Sequence, residues 1–244
     1  MRLRQLALAA DKLEPVRSQL FQLFGIEDDY KDPGVGEFGL ENSVMSLGDS
    51  YLEIVAPTTQ NTAVGRSLKR AGADACGYMA LFQVDDFVSY EAHLQALGLR
   101  QVWQASREDV SACHIHPKDI GGVIVSFDEM RRSDDWVWAG SNWRSRTARD
   151  VQRIQGMRLS SPRVVALASH WSEVTQHDVT RHDSGLRIEY AENTFVEFIE
   201  GEVEACPVFV LECRDRQLVR DRAAKLGMLE SDHIVVGTLS FELV

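Results

Sequence analysis

One pattern recurs along the chain and restricts its fold more than any other feature. It is a short apolar strand, an Asp or similar cap, an amphipathic helix ending in Leu-Gly or Phe-Gly, and then strand-like runs of period two. The first copy runs from Leu3 to Ala9, takes a cap near Asp11 and continues as a helix through Phe24 to Gly25. Gly25 supplies the positive φ that ends a helix. The second copy is Tyr78 to Val84, Asp85-Asp86, a helix through Leu97, and Gly98. The fourth is Val208 to Glu212, Asp215, a helix through Leu226, and Gly227. The third is less regular: Val164 to Ala168 reads as its strand, followed by His170-Trp171-Ser172 and a poorly signalled helix through His182.

Paired runs close each copy: Ser43–Leu47 with Tyr51–Val55, Ala112–His116 with Val123–Phe127, Leu186–Tyr190 with Thr194–Ile199, and Ile234–Val236 with Leu239–Leu243. The reading is βαβββ repeated four times, an α+β class. Two units make one curved mixed sheet with a cavity, so four make two domains. The expected boundaries are 1–130, an inter-domain connection at 131–160, and a shorter second domain at 161–244. The stretch Glu129 to Ser161 carries seven arginines against four acids, a local charge of +3 in a chain whose formal charge is −11. It also holds Trp136, Trp138 and Trp143, three of the five tryptophans. With no Gly/Ser or Pro enrichment it is not a flexible linker, and its tryptophans are expected to pack.

The acidic balance repels phosphate backbones and anionic bilayers, so neither nucleic acid nor a membrane is an expected partner. No apolar run approaches the roughly 20 residues that span a bilayer. The apolar stretch Leu6–Ala10 is too short for a signal-peptide core, so a cytoplasmic location is expected. Cys76, Cys113, Cys206 and Cys213 form no C-x-x-C pair and read as reduced core thiols.

The paired units resemble the vicinal oxygen chelate superfamily, which includes glyoxalase I, methylmalonyl-CoA epimerases, extradiol dioxygenases and bleomycin-resistance proteins. The most specific stretch is His116-Pro117-Lys118-Asp119-Ile120-Gly121-Gly122-Val123-Ile124, which is similar to a run in the epimerases. Tyr51-Leu52-Glu53-Ile54-Val55-Ala56-Pro57 and Phe82-Gln83-Val84-Asp85-Asp86 support it. The resemblance implies four side chains holding a divalent ion from the first and last strands of each unit pair. Here those positions are Gln5, Glu53, Met79 and Ser126. A thioether is too soft for Mg or Mn, and a neutral hydroxyl is a poor donor. No cofactor is therefore expected, a divalent metal being the minor alternative. The second half gives Val164, Glu197, Val208 and Glu242, where two valines rule out the chelate.

Period two puts Tyr51, Glu53 and Val55 on one strand face. A carboxylate facing an apolar cavity suits a general base that removes a proton beside a carbonyl, with Gln5 orienting the substrate. His114 or His116 could be the acid partner; the plainer readings are a half-buried histidine and a turn residue beside Pro117. Tyr51, Met79, Ser126, Lys118, Trp136, Trp138 and Arg144 complete the expected substrate-binding set. The Trp/Arg connection is either a packed anchor with a solvated face or a lid whose arginines meet an anionic ligand such as a CoA phosphate. The expected function is an isomerase, epimerase or lyase acting on a small carbonyl or acyl-CoA compound, with a homodimer as a further expectation. A metal-free binding or resistance protein is the alternative, and a metal-dependent glyoxalase or dioxygenase the third reading.

Overall fold

A computed structural model describes residues 1–182, 185–231 and 233–244. The first module comprises β1 (Arg2–Ala10), α1 (Leu13–Phe24), β2 (Leu40–Leu47) and β3 (Ser50–Pro57), followed by α2 (Ala63–Ala71). The second comprises β4 (Ala75–Gln83), α3 (Phe87–Ala96), β5 (Gln101–Ser106), β6 (Val110–Ile115), α4 (Pro117–Ile120) and β7 (Ile124–Met130). The third comprises β8 (Val151–Ser161), α5 (Val164–Thr175), β9 (Val179–His182), β10 (Gly185–Tyr190) and β11 (Thr194–Glu200). The fourth comprises β12 (Ala205–Cys213), α6 (Arg216–Lys225), β13 (Leu229–Glu230), β14 (His233–Val236) and β15 (Leu239–Leu243). The strands belong to a seven-stranded and an eight-stranded mixed sheet, the α+β architecture that the repeat implies. No described helix is long and apolar enough to cross a membrane.

Two elements depart from the sequence reading. Val164–Ala168 is the first part of α5, not a strand. The strand that opens the third module is β8, in the last part of the stretch read as a connection. Its three charged or amide side chains between Gln152 and Gln155 masked an eleven-residue strand. The first helix is preceded by Lys12, which makes no capping bond, so Asp11 is not its cap. Asp86 and Asp215 do cap, accepting from the amides of Ser89 and Leu218 at 3.0 Å each.

The chain packs as two compact units, each assembled from separated stretches. One holds Met1–Arg4, Met79–Val137 and Gln155–Cys206; the other holds Gln5–Tyr78, Trp138–Ile154 and Pro207–Val244. Each unit thus combines one module from each half of the sequence.

In the unit that contains Glu53, β3 lies between β1, to which it is parallel, and β2, to which it is antiparallel. Ala7 and Val44 stand opposite Glu53 on these two neighbours. Alternation then sorts the side chains. Leu6, Leu8, Leu52, Ile54, Met45 and Leu47 share one face, all buried, and α1 lies against this part of the sheet through Leu20, Leu23 and Phe24. Each such side chain contributes roughly 1.5–3 kcal/mol by leaving water. Phe24 continues the core to Phe241 and Phe209 in edge contacts at 5.5 and 6.1 Å between ring centroids. The opposite face carries Gln5, Ala7, Tyr51, Glu53, Asn42 and Val44.

In the other unit, β7 lies parallel to β4 and antiparallel to β6. Phe82, Phe127, Tyr90, Trp171, Tyr190 and Phe198 form a continuous aromatic cluster. Buried polar tips find partners: Tyr90 Oη donates to Val174 O at 2.5 Å, and Trp171 Nε1 donates to Gly121 O at 3.3 Å.

Candidate active site

Glu53 sits in the middle of β3, 7% exposed. Gln5 lies on β1 two residues before the position opposite Glu53, and Asn42 lies on β2 in the corresponding place. Both amides reach the carboxylate diagonally across the sheet, the spacing at which side chains on one face meet. Gln5 Nε2 donates to Oε2 at 2.8 Å, and Asn42 Nδ2 donates to Oε1 at 2.7 Å. The Asn42 amide is oriented by a third group, since its Oδ1 accepts from the Asp32 amide at 2.9 Å. Burial raises the Glu53 pKa to about 7, against the two amide donors, which favour the charged form; the Asp32 charge adds to the rise. The result is a buried carboxylate poised to take or give a proton near neutral pH.

Tyr78 is a further buried member of this unit. Desolvation first, and then the Glu53 charge, push its phenol up to about 12, so it stays a neutral hydroxyl. Tyr51 is fully buried on the Glu53 face, and the Trp143 ring stands edge-on to it at 5.5 Å. The Arg144 guanidinium lies over the Trp143 ring at 4.2 Å. The stretch around them is tied to the edge of β2, where Ser46 forms a bridge with Thr147 and the Ala148 amide donates to Ser46 O at 2.8 Å. Trp138 is half-buried in the same stretch. The stretch 138–148 therefore packs as a cover on its own unit, with Trp143 buried and Arg144 exposed.

The remaining sequence-derived residues belong to the other unit. Met79 and Ser126 share one sheet face, since Met79 stands opposite Ile124, two residues before Ser126. Ser126 Oγ donates to Cys113 O at 3.3 Å. His114 stands opposite Ser126 and stacks on Trp103 at 4.3 Å between ring centroids. Burial pulls its pKa down to about 3, so the imidazole is neutral at physiological pH. His116 caps α4: its Nδ1 accepts from the Lys118 amide at 3.1 Å, and Lys118 itself is exposed. Trp136 is fully buried, with the Arg4 guanidinium over its ring at 5.3 Å. Asn42 and Tyr78 were missed from the sequence. Asn42 precedes the expected strand by one residue, and only the register of β2 on β3 brings it to the carboxylate.

The third module gives its buried glutamate a different setting. Glu197 is fully buried on β11, opposite Arg158 of β8 and Arg187 of β10. Arg158 Nε approaches its Oε2 at 2.5 Å, and Arg187 Nη2 and His182 Nδ1 approach its Oε1 at 3.3 and 3.4 Å. Where the first module has Ala7 and Val44 beside its glutamate, this one has two arginines. Glu197 is thus a paired structural charge, and Glu53 is held by neutral amides. Glu242, on β15, is half-buried.

No protein-family model matches the chain, and no curated protein matches it. Solved structures do. A hypothetical protein from Staphylococcus aureus superposes with a TM-score of 0.64 at 11% identity, covering 99% of both chains. The 4-hydroxymandelate synthase of Streptomyces coelicolor superposes with a TM-score of 0.68 at 13% identity, covering 90% of this chain and 74% of its own. The methylmalonyl-CoA epimerase of Mycobacterium tuberculosis aligns over 53% of this chain and 88% of its own, with a TM-score of 0.46 at 17% identity. The chain shares the fold of 4-hydroxymandelate synthase.

The resemblance read from the sequence raises the question of a divalent ion, and the side chains at the four positions do not fit one. Gln5 turns its amide N–H toward Glu53, and both Glu53 oxygens already accept from amides. Met79 offers a thioether, and the Ser126 hydroxyl is directed to a backbone carbonyl. Among the described residues, no three of His, Cys, Asp and Glu converge as a metal site would require.

Proposed function

We propose that this protein acts on a small carbonyl or acyl-CoA compound by moving a proton at the carbon beside the carbonyl, with Glu53 as the base and no metal in the step. The observation that carries the reading is a buried carboxylate held between two neutral amides, without the arginine partners that Glu197 has. Deprotonated Glu53 would take the α-proton, and the electron pair would pass into the carbonyl oxygen as an enolate. Return of the proton to the same face would give back the substrate, and protonation on the opposite face by a second donor or solvent would give the epimer. The neutral Tyr78 phenol is a suitable donor in the same unit for an oxygen that gains charge. Exposed Arg144, stacked on Trp143, supplies a cation for an anionic tail such as a CoA phosphate.

The test is solvent-deuterium incorporation into α-branched acyl-CoA thioesters such as methylmalonyl-CoA, followed by mass spectrometry. Incorporation that falls at least 100-fold in Glu53→Gln supports the reading. Incorporation unaffected by that substitution, or none in any thioester, contradicts it.

The second reading is a metal-free small-molecule binder of the same fold. The cover of Trp143 on Tyr51 favours it, because an aromatic-walled site can hold a ligand without reacting. A ligand that raises the unfolding temperature and is recovered unchanged would select this reading.

A further inference from the structure

A cavity lies in the fourth module, on elements that play no part in the Glu53 chemistry. Its volume is about 560 Å³, within the range of small-molecule sites. Its walls come from the exit of β12, the first turns of α6, and β14 and β15. Arg214, Arg216, Arg220 and His233 stand around it; Ile234 and Phe241 behind it are core side chains, 1% exposed each, and Leu243 is half-buried. Two acids also line it. One of them, Asp215, is engaged in capping α6 through the Leu218 amide; the other is Glu242. Three guanidinium groups thus gather at one hollow in a chain whose formal charge is −11. The N-terminal end of α6 adds the positive end of its dipole.

We propose that this cavity binds a small oxyanion, a molecule with a carboxylate or phosphate head. The guanidinium groups match the oxygens of the head in a forked geometry that an ammonium lacks.

Isothermal titration with benzoate, phenyl phosphate, inorganic phosphate and benzyl alcohol tests this on the full chain. Benzoate or phenyl phosphate is expected to bind, and whichever binds more tightly identifies the head group. Inorganic phosphate is expected to compete with them, and benzyl alcohol, which has no oxyanion, to bind at least ten-fold more weakly. The Arg214→Ala/Arg216→Ala double substitution, at two exposed side chains, is expected to weaken binding at least ten-fold, and Glu53→Gln to leave it unchanged. No binding at millimolar concentration would overturn the proposal. So would binding indifferent to the arginine substitutions, or binding lost in Glu53→Gln.

Discussion

The Asn42 side chain donates to Glu53 at 2.7 Å while its own carbonyl oxygen accepts from the Asp32 amide at 2.9 Å. The second bond decides what the first can be. With its oxygen committed to a backbone N–H, the amide presents only donors to the carboxylate, and a donor favours the charged form. Asn42→Leu removes that donor and puts an apolar side chain of similar size in its place. The Glu53 pKa is expected to climb further above 7, by about one unit for a lost bond worth roughly 1.4 kcal/mol. The pH midpoint of α-deuterium incorporation reads this shift directly. An unchanged midpoint would remove Asn42 from the control of Glu53.

Folding stability carries the same signature. The folded pKa of about 7 lies above the ordinary value of 4.5, so the native state holds its proton more tightly than the unfolded chain does. The stability that this group contributes is complete below about pH 4.5 and is lost as pH rises to 7. The loss amounts to about 3 kcal/mol for a shift of that size in a buried group. Glu53→Gln has no such loss. The stability difference between the variant and the parent protein is expected to move in the variant's favour by about 2–3 kcal/mol between pH 5 and pH 8, measured by urea unfolding at each pH.

Arg158 predicts the opposite kind of behaviour. It neutralises a fully buried glutamate in a contact of 2.5 Å. Arg158→Ala leaves Glu197 with fewer partners in a dry setting and is expected to destabilise by roughly 3–5 kcal/mol. Arg132, whose ion pair with Asp134 is exposed on both sides, serves as the control. Arg132→Ala is expected to leave the urea midpoint unchanged.

Trp143 joins the connection to the Glu53 face through Tyr51. Trp143→Ala is expected to destabilise by about 3–5 kcal/mol through lost burial. It also lets water toward the face, so the Glu53 pKa is expected to fall toward 4.5. Trp143→Phe keeps an aromatic ring and is expected to preserve most of both properties. Unfolding curves and the exchange midpoint separate the two effects.

The repeat was legible because its punctuation is local. Gly25, Gly98 and Gly227 adopt positive φ where the helices stop, and Asp86 and Asp215 cap where helices start. The third module was obscured by two misleading compositions. The run Val164–Ala168 is rich in β-branched residues, yet its apolar surface packs as part of a helix that buries Leu167, Ala168 and Trp171. The strand β8 contains Arg153 and Arg158, charges that signal a surface loop in sequence. Both meet a carboxylate, at Glu212 and Glu197. That Tyr51 and Glu53 share a strand face followed from alternation; the contact of Glu53 with Gln5 did not, since it depends on the pairing of β1 with β3. Asn42 and the capping role of His116 depend on register and turn geometry, which no single strand records.

Carbon-13 NMR titration of the Glu53 side-chain carboxyl is the most direct measurement of all. Assignment comes from the resonance missing in Glu53→Gln. A midpoint near pH 7 is predicted, with the carboxyl about half charged at neutrality. A midpoint at the ordinary value of about 4.5 would show a solvated, unexceptional glutamate and would contradict the role given to it here.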